Sequence, residues 1–339
     1  MQGIFGRINR TVQGQARLSR DSPHSNRSLR PGSATLLFNR NPCVIARLLG
    51  GVGNQLFIYS TARALALRNC VPLYLDADSG YASDPFRRRP ELDAFCIDFR
   101  RVPRLLLTST SFSGKAYRRT LKFVNGFLPT RSRCYMVEPR SDGPALLRHF
   151  RCKGPVFLDG HWQTEEYFSD CREELAVDLR FRQDFISDDS RVSDRLRSPL
   201  AVCVHIRRYD EVDAVSGTNA GSAMRLHEAY FREAISLVRA QLPDAQFFVF
   251  CDNVAWARSK FPENESIQIA STQAPSHPCL DLWLMSLCRH HILSNSTYSW
   301  WGRWLNHSED GLVVAPATRR WGLRMGVPRL PTGWKALSL

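Results

Sequence analysis

The stretch CVIARLLGGVGNQLF, residues 43–57, decides the fold. Its apolar first half predicts a buried strand, and its glycines predict a tight turn. The Ala- and Leu-rich segment 54–69 then predicts a buried helix, and the apolar run 71–75 predicts a second strand. Strand, glycine loop, helix and strand in this order open a βαβ unit. We therefore expect an α/β protein with parallel sheets covered by helices.

The same alternation continues along the chain. Further strands are predicted at residues 156–158, 200–206, 245–250, 292–294 and 312–315. Further helices are predicted at residues 227–241, 280–288 and 298–305. Such sheets bind ligands outside the carboxyl ends of their strands, so polar residues at those ends are the candidates for a site.

The polar, charged segment 184–198 suggests a boundary between two domains. We expect a disordered basic arm over residues 1–41, an N-terminal α/β domain over 42–190 and a C-terminal α/β domain over 191–339. The arm holds seven Arg, one Asp and no Lys or Glu. It also has the composition of an organelle transit peptide, and a flexible tail or a start codon assigned too far upstream would explain it equally.

The formal net charge of +14 favours anionic partners such as nucleotide phosphates, acidic lipids or nucleic acid. No stretch reaches the roughly 18–20 apolar residues of a membrane span, and no apolar signal-peptide core follows the N-terminus. The ten cysteines are scattered without a CxxC pair, which is typical of free thiols in a reducing compartment rather than of a zinc ribbon.

Three segments carry candidate chemistry. The first is the glycine loop 50–53 with Asn54, where backbone N–H groups at a helix start could meet an anion; a tight turn capped by Asn54 is the alternative. The second is HIRRYD, residues 205–210, at the end of an apolar strand. One of Arg207 and Arg208 could face a ligand diphosphate while the other pairs with a carboxylate such as Asp210; a surface salt-bridge cluster is the alternative.

The third segment runs from Asp281 to residue 305. Asp281 could accept hydrogen bonds from the N–H edge of guanine or only interact with the helix dipole. The hydroxyls of Ser296 and Thr297 lie between a strand and a helix, a place where phosphate binds. We expect the three tryptophans that follow to belong to the core rather than to stack on sugar: Trp300, Trp301 and Trp304.

Two further acidic positions remain open. Asp252, after the strand 245–250, could line the nucleotide site or cap the next helix. Asp76 and Asp78 form a DxD pattern like that of metal-dependent sugar transferases, and both could equally be turn residues.

Together these segments resemble the α-1,2-fucosyltransferases of glycosyltransferase family eleven. GVGNQLF at 51–57 resembles the family's GGLGNQLFQYA, and GHWQT at 160–164 resembles GYWQS. Residues 205–210 are similar to HxRRGD, and residues 248–253 to FSDD. Residues 281–306 match DLxLMSxCxHxIIxNSSFSWWGAWLN nearly throughout.

The resemblance implies a GT-B-like fold, two Rossmann-type domains facing across a cleft, with GDP-fucose in the C-terminal domain, no metal, and inversion at the anomeric carbon. It assigns Arg207 to the β-phosphate. It assigns the remaining donor contacts to Asn54, His205, Asp281, Ser296 and Thr297. We list Asp252 with them because of its position at the end of a strand. We list Asp210 with Arg207 as catalytic, although Asp210, Glu211 and Asp213 are all candidates for the base.

Three residues depart from the family pattern: Tyr209 replaces Gly, His161 replaces Tyr and Asn253 replaces Asp. Residues 211–226 show little resemblance, which leaves the acceptor open. We expect a galactoside 2-fucosyltransferase acting on a galactose-terminated glycan or lipid-linked oligosaccharide, cytoplasmic, with contact at the cytoplasmic membrane face and no nucleic-acid partner. The alternatives are a metal-dependent transferase using Asp76 and Asp78, or a basic polysaccharide-binding module.

Overall fold

The architecture is taken from a computed structural model. It describes residues 41–97, 100–102, 112–129, 132–139, 142–186, 190–271, 277–306, 308, 310–317, 320–321, 324–325 and 330–338. The predicted basic arm, residues 1–41, lies outside the described residues except for its last position.

The first sheet is built from the N-terminal part of the chain. Its strands are β1 (Cys43–Arg47), β2 (Leu73–Asp76), β3 (Arg100–Arg101), β4 (Tyr135–Val137) and β5 (Pro155–Asp159). They lie in the order β3-β2-β1-β5-β4, and every pair is parallel. The accompanying helices are α1 (Val52–Asn69), α2 (Phe112–Phe127), α3 (Gly143–His149) and α4 (Arg172–Asp178).

The second sheet is built from the C-terminal part. Its strands are β6 (Ala201–Ile206), β7 (Gln246–Cys251), β8 (Ile267–Ile269), β9 (His290–Ile292), β10 (Val313–Pro316) and β13 (Lys335–Leu337), and β11 (Arg320–Trp321) and β12 (Arg324–Met325) form a separate antiparallel ribbon. The helices are α5 (Ser190–Leu196), α6 (Asp210–Ser216), α7 (Glu228–Gln241), α8 (Val254–Lys260), α9 (Cys279–Leu287) and α10 (Thr297–Trp304). The order β13-β10-β9-β6-β7-β8 is parallel throughout.

The expected α/β architecture, two parallel Rossmann-type sheets that face each other across a cleft, is confirmed. No strand of either sheet crosses the segment 184–198 within the described residues. The sequence predicted α1, α7, α9 and α10, whereas α2, α3, α4, α5, α6 and α8 were not predicted. Among the described helices, none combines the length and apolar content that crossing a bilayer requires. All ten cysteines are free, and six of them are buried.

The two halves share a core. The largest cluster of buried side chains includes strands β1 and β2, helix α1 and the tryptophans of α10. Phe57 of α1 lies 4.7 Å from Trp300 between ring centroids, and Phe168 stacks on Trp301 at 5.9 Å. The expectation that Trp300, Trp301 and Trp304 belong to the core is confirmed, because all three are buried.

Candidate functional site

A cavity of about 750 Å³ lies between the two halves. Its wall is formed by the glycine loop on one side and by the carboxyl ends of β6, β7 and β9 on the other. This volume is in the range of sites that enclose a small-molecule ligand or cofactor. The cavity lies at the carboxyl ends of the strands, which is where parallel sheets bind ligands.

Two helix starts meet at the cavity. The first residues of α1 lie against the first residues of α10, and Gly53 makes this contact possible because a Cβ there would lie 2.6 Å from the backbone nitrogen of Tyr298. Gly50 precedes the turn with a φ of +75°, which favours glycine. Helix starts present free N–H groups and partial positive charge. Their convergence therefore makes this wall suited to an anion.

Asn54 joins the two halves at this point. Its side-chain oxygen accepts hydrogen bonds from Gln163 at 2.8 Å and from the hydroxyl of Thr297 at 3.1 Å. The N-cap of α1 is Gly51, and no side chain caps this helix. The alternative of a turn capped by Asn54 is therefore wrong, and the residue lines the cleft as the other interpretation required.

Arg207 leaves β6 toward the cavity. Its guanidinium pairs with Glu211, one helical turn further along the chain, and with Asp252 at 3.0 Å. All three side chains line the cavity. The two carboxylates fix the orientation of the guanidinium, so its N–H donors already point into the cavity wall. A diphosphate that binds there would compete with the carboxylates for these donors.

Arg208 points elsewhere. Its guanidinium lies 4.2 Å from the ring centre of Trp256, and its backbone N–H donates to Asp252. The prediction that the second arginine pairs with Asp210 is therefore wrong, because the carboxylate is taken by other partners and an aromatic face is available.

Tyr209 occupies the position where the family has glycine. Its φ of +57° lies in the left-handed region, which explains why glycine suits this position. The buried side chain donates from its hydroxyl to the carbonyl of Asn295 at 2.8 Å, and Arg207 lies 5.2 Å from its ring centre. These contacts hold a tyrosine in a strained conformation beside the phosphate-binding candidate.

The three acidic residues that follow the arginines differ in whether they line the cavity. Asp210 accepts from Arg225 at 2.6 Å and from Asn253 at 2.7 Å, so both its oxygens have partners. Asp213 accepts from backbone N–H groups of the loop that follows α6. Glu211 alone of the three candidate bases lines the cavity.

Asp252 has a second role beside lining the cleft. Its oxygens accept the backbone N–H groups of Arg208 at 2.8 Å and Tyr209 at 3.2 Å. It therefore fixes the loop that carries Arg207, and the capping of helix α8 falls to Asn253 instead, whose side chain accepts from the N–H of Trp256.

His205 and Asp281 line the part of the cavity beyond the phosphate candidates. The Nδ1 of His205 lies 3.1 Å from the hydroxyl of Ser294, and burial lowers the pKa of His205 to about 3. One oxygen of Asp281 accepts from Ser271 at 2.8 Å, whereas the other is buried and has no hydrogen-bond partner among the described residues. A ligand N–H group would satisfy this oxygen, which otherwise carries a desolvation cost.

Ser296 and Thr297 stand at the start of α10, as the sequence predicted. Ser296 is its N-cap residue and is buried, and Thr297 is its first residue. Both line the cavity. The structure thus brings together Asn54, His205, Arg207, Asp252, Asp281, Ser296 and Thr297, and it leaves Asp210 outside the wall.

Glu91 is a cavity residue that the sequence analysis missed. Burial raises its pKa to about 7, and its backbone N–H donates to the side chain of Gln55 at 2.8 Å. Glu91 does not follow a strand of the sheet. A search for polar residues at the carboxyl ends of strands therefore could not find it. Its neighbour Arg88 was missed for the same reason.

The DxD pattern lies apart from this wall. Asp76 accepts the backbone N–H groups of Asp78 and Ser79 at 3.2 and 2.8 Å, so it closes its own turn. Neither aspartate lines the cavity. Across the described residues, no group of three or more His, Cys, Asp or Glu side chains is arranged to hold a metal ion.

Known proteins that resemble this chain are glycosyltransferases. A family model described as glycosyl transferase family 11 matches residues 143–322. An alpha-1,2-colitosyltransferase of Escherichia coli is 28% identical over 301 residues, covering 80% of this chain and 91% of the relative. A galactoside alpha-(1,2)-fucosyltransferase 1 of Ateles belzebuth is 24% identical over 156 residues, covering 44% and 42%.

Among solved structures, the fucosyltransferase NodZ from Bradyrhizobium is similar with a TM-score of 0.47 and 14% identity. The similarity covers 78% of this chain and 92% of that one.

Proposed function

Because the chain belongs to glycosyl transferase family 11, we propose that it transfers L-fucose from GDP-fucose to the 2-hydroxyl of a terminal galactoside. The observation that carries the proposal is the position of Arg207, at a strand end in the wall of the cavity where two helix starts converge. These groups suit a nucleotide diphosphate, and the partnerless oxygen of Asp281 suits the N–H edge of guanine.

In the proposed reaction, the acceptor oxygen attacks C1 of fucose while the bond from C1 to the diphosphate oxygen breaks. Negative charge grows on the leaving diphosphate. Arg207 and the backbone N–H groups at the start of α10 would stabilise it, a contribution of about 3–4 kcal/mol for each well-placed donor. His205, neutral because of burial, and Asp281 would hold the guanosine.

The acceptor proton needs a base within the cavity. We assign it to Glu211, because Glu211 lines the cavity while Asp210 is held by Arg225 and Asn253. When a diphosphate takes the donors of Arg207, the carboxylate of Glu211 is released from that ion pair. The released carboxylate then accepts the proton, and GDP departs as the anion.

We also propose that the reaction needs no metal. Arg207 and the helix starts supply the positive charge that a divalent cation supplies elsewhere. The positions of Asp76 and Asp78, one closing its own turn and both away from the cavity, argue against the DxD alternative.

The test is incubation of the protein with GDP-fucose and a panel of galactosides, followed by linkage analysis, with and without excess EDTA. A 2-linked fucosyl product formed in EDTA supports the proposal. GDP-colitose is the second donor in the panel, because the relative with 28% identity is a colitosyltransferase. Exclusive use of GDP-colitose would overturn the fucose assignment. Polyanion binding without GDP affinity would favour the polysaccharide-binding module.

A further inference from the structure

Helix α2 carries apolar side chains on its outer surface. Phe123 is 70% exposed, Phe127 is 76% exposed, and Val124 between them is 47% exposed. The two phenylalanine rings contact each other edge to face at 5.0 Å. A contiguous pair of exposed aromatic side chains is unusual on a surface that contacts only solvent. We call Phe123, Val124 and Phe127, together with exposed Arg119, the α2 patch.

The helix is fixed so that this patch faces outward. On its inner side, the oxygen of Asn125 accepts the backbone N–H groups of Cys134 and Tyr135 at 2.8 and 3.1 Å. Lys122 pairs with Asp159 of β5 at 2.7 Å. These contacts anchor α2 to the edge of the first sheet. The exposure of the two phenylalanines follows from that anchoring and not from a detached helix.

The surrounding sequence has an extreme charge balance. Residues 99–137 contain nine Arg or Lys and no Asp or Glu, whereas the whole chain holds 46 basic and 32 acidic residues. A basic helix with exposed aromatics is the composition of segments that lie in a bilayer interface. The positive charge meets anionic headgroups, and the aromatic rings enter the boundary below them.

We propose that the α2 patch is a docking surface for anionic lipid bilayers. A second copy of this chain fits the patch poorly because each copy carries a net charge of +14, and the Arg-rich segment 1–40 fits it poorly for the same reason. No residue of the patch lines the cavity. The proposal is therefore independent of which donor or acceptor the enzyme uses.

The test is cosedimentation of the full-length protein with phosphatidylcholine vesicles, with and without phosphatidylglycerol. We expect binding to the anionic vesicles that weakens as salt is added. The double variant Phe123→Ser/Phe127→Ser should lose about tenfold or more of this affinity. The matched control Val177→Ser/Val215→Ser, which changes side chains 54% and 47% exposed on other helices, should bind like the unchanged protein.

Two measurements keep the result unambiguous. Turnover of a soluble acceptor should be equal in all variants, which separates lost docking from lost folding. In a Phe123→Trp variant, fluorescence should shift to the blue on anionic vesicles and be quenched by brominated lipid. The proposal would be overturned if the double variant bound vesicles as well as the unchanged protein, or if the unchanged protein did not bind. It would also be overturned if the unchanged protein were a dimer in solution and the double variant a monomer.

Discussion

The two sheets are covered differently. The second sheet is buried on both faces, by α7 on one face and by α5 and α9 on the other. The first sheet packs one face into the large shared core, while its opposite face holds a small cluster around Cys43, Ile45 and Val102 in the described part of the chain. The second half supplies Arg207, Asp281, Ser296 and Thr297 to the cavity wall, and in the proposed reaction it carries the groups that stabilise the leaving diphosphate. The first half supplies the glycine loop on the other side of the cleft, and it carries the α2 patch that we propose as a docking surface.

If the second half carries the chemistry, Arg207→Ala should have the largest effect. Without the guanidinium, the negative charge on the leaving diphosphate is no longer stabilised in the transition state. We therefore expect kcat to fall about 100- to 1000-fold. The comparison is Arg208→Ala, which removes only a contact with Trp256 and should keep most activity. Steady-state kinetics with GDP-fucose and thermal melting measure both. Near-normal turnover by the Arg207 variant would refute the assignment.

The next effect concerns the carboxylates of the same loop. Glu211→Gln should lower kcat about 100-fold because the acceptor proton loses its base. Asp210→Asn is the matched control and should keep most activity, since Asp210 pairs with Arg225 and Asn253 and does not itself line the cavity. Steady-state kinetics with GDP-fucose and a galactoside acceptor should show the loss of kcat only in the Glu211 variant. The reverse ranking of the two variants would return the role to Asp210.

A first-half substitution should act on binding rather than on chemistry. In Gly53→Ala, the new Cβ would meet Tyr298 and push the two helix starts apart, so we expect about tenfold weaker GDP binding and a loss of about 1–3 kcal/mol of stability. Gly51→Ala is the control, because a Cβ there meets no described atom within 4 Å. Calorimetry with GDP and denaturant unfolding distinguish them. Equal affinities would show that the close approach does not shape the site.

The smallest expected effect is a pH dependence from Glu91. Its pKa is raised to about 7, so its contribution to stability is present at low pH and is lost as pH rises through 7. GDP binding should weaken over the same range because a carboxylate in the cavity wall then repels the anionic nucleotide. Glu91→Gln should remove both trends, by at most about 1.4 kcal/mol per pH unit. The nucleotide's own ionisation affects both proteins equally. Parallel pH profiles would contradict the prediction.

Most strands and candidate site residues of the second half could be predicted from the sequence. Apolar runs bounded by polar strand ends locate β6 and β7, and polar residues at those ends lie where parallel sheets bind ligands. The same logic failed for Glu91, which follows no strand, and for the partner of Arg208, which is an aromatic ring that only folding brings near. Helix α2 was missed although its sequence is strongly amphipathic, so the periodicity of its apolar residues was the signal that could have located it.

The contacting rings of Phe57, Phe168, Trp300 and Trp301 form one buried aromatic layer between the two halves. Cutting the chain between them would expose this aromatic layer to water on both pieces. We expect calorimetry to record a single melting transition for the intact molecule, and separately expressed fragments to aggregate unless they are refolded together.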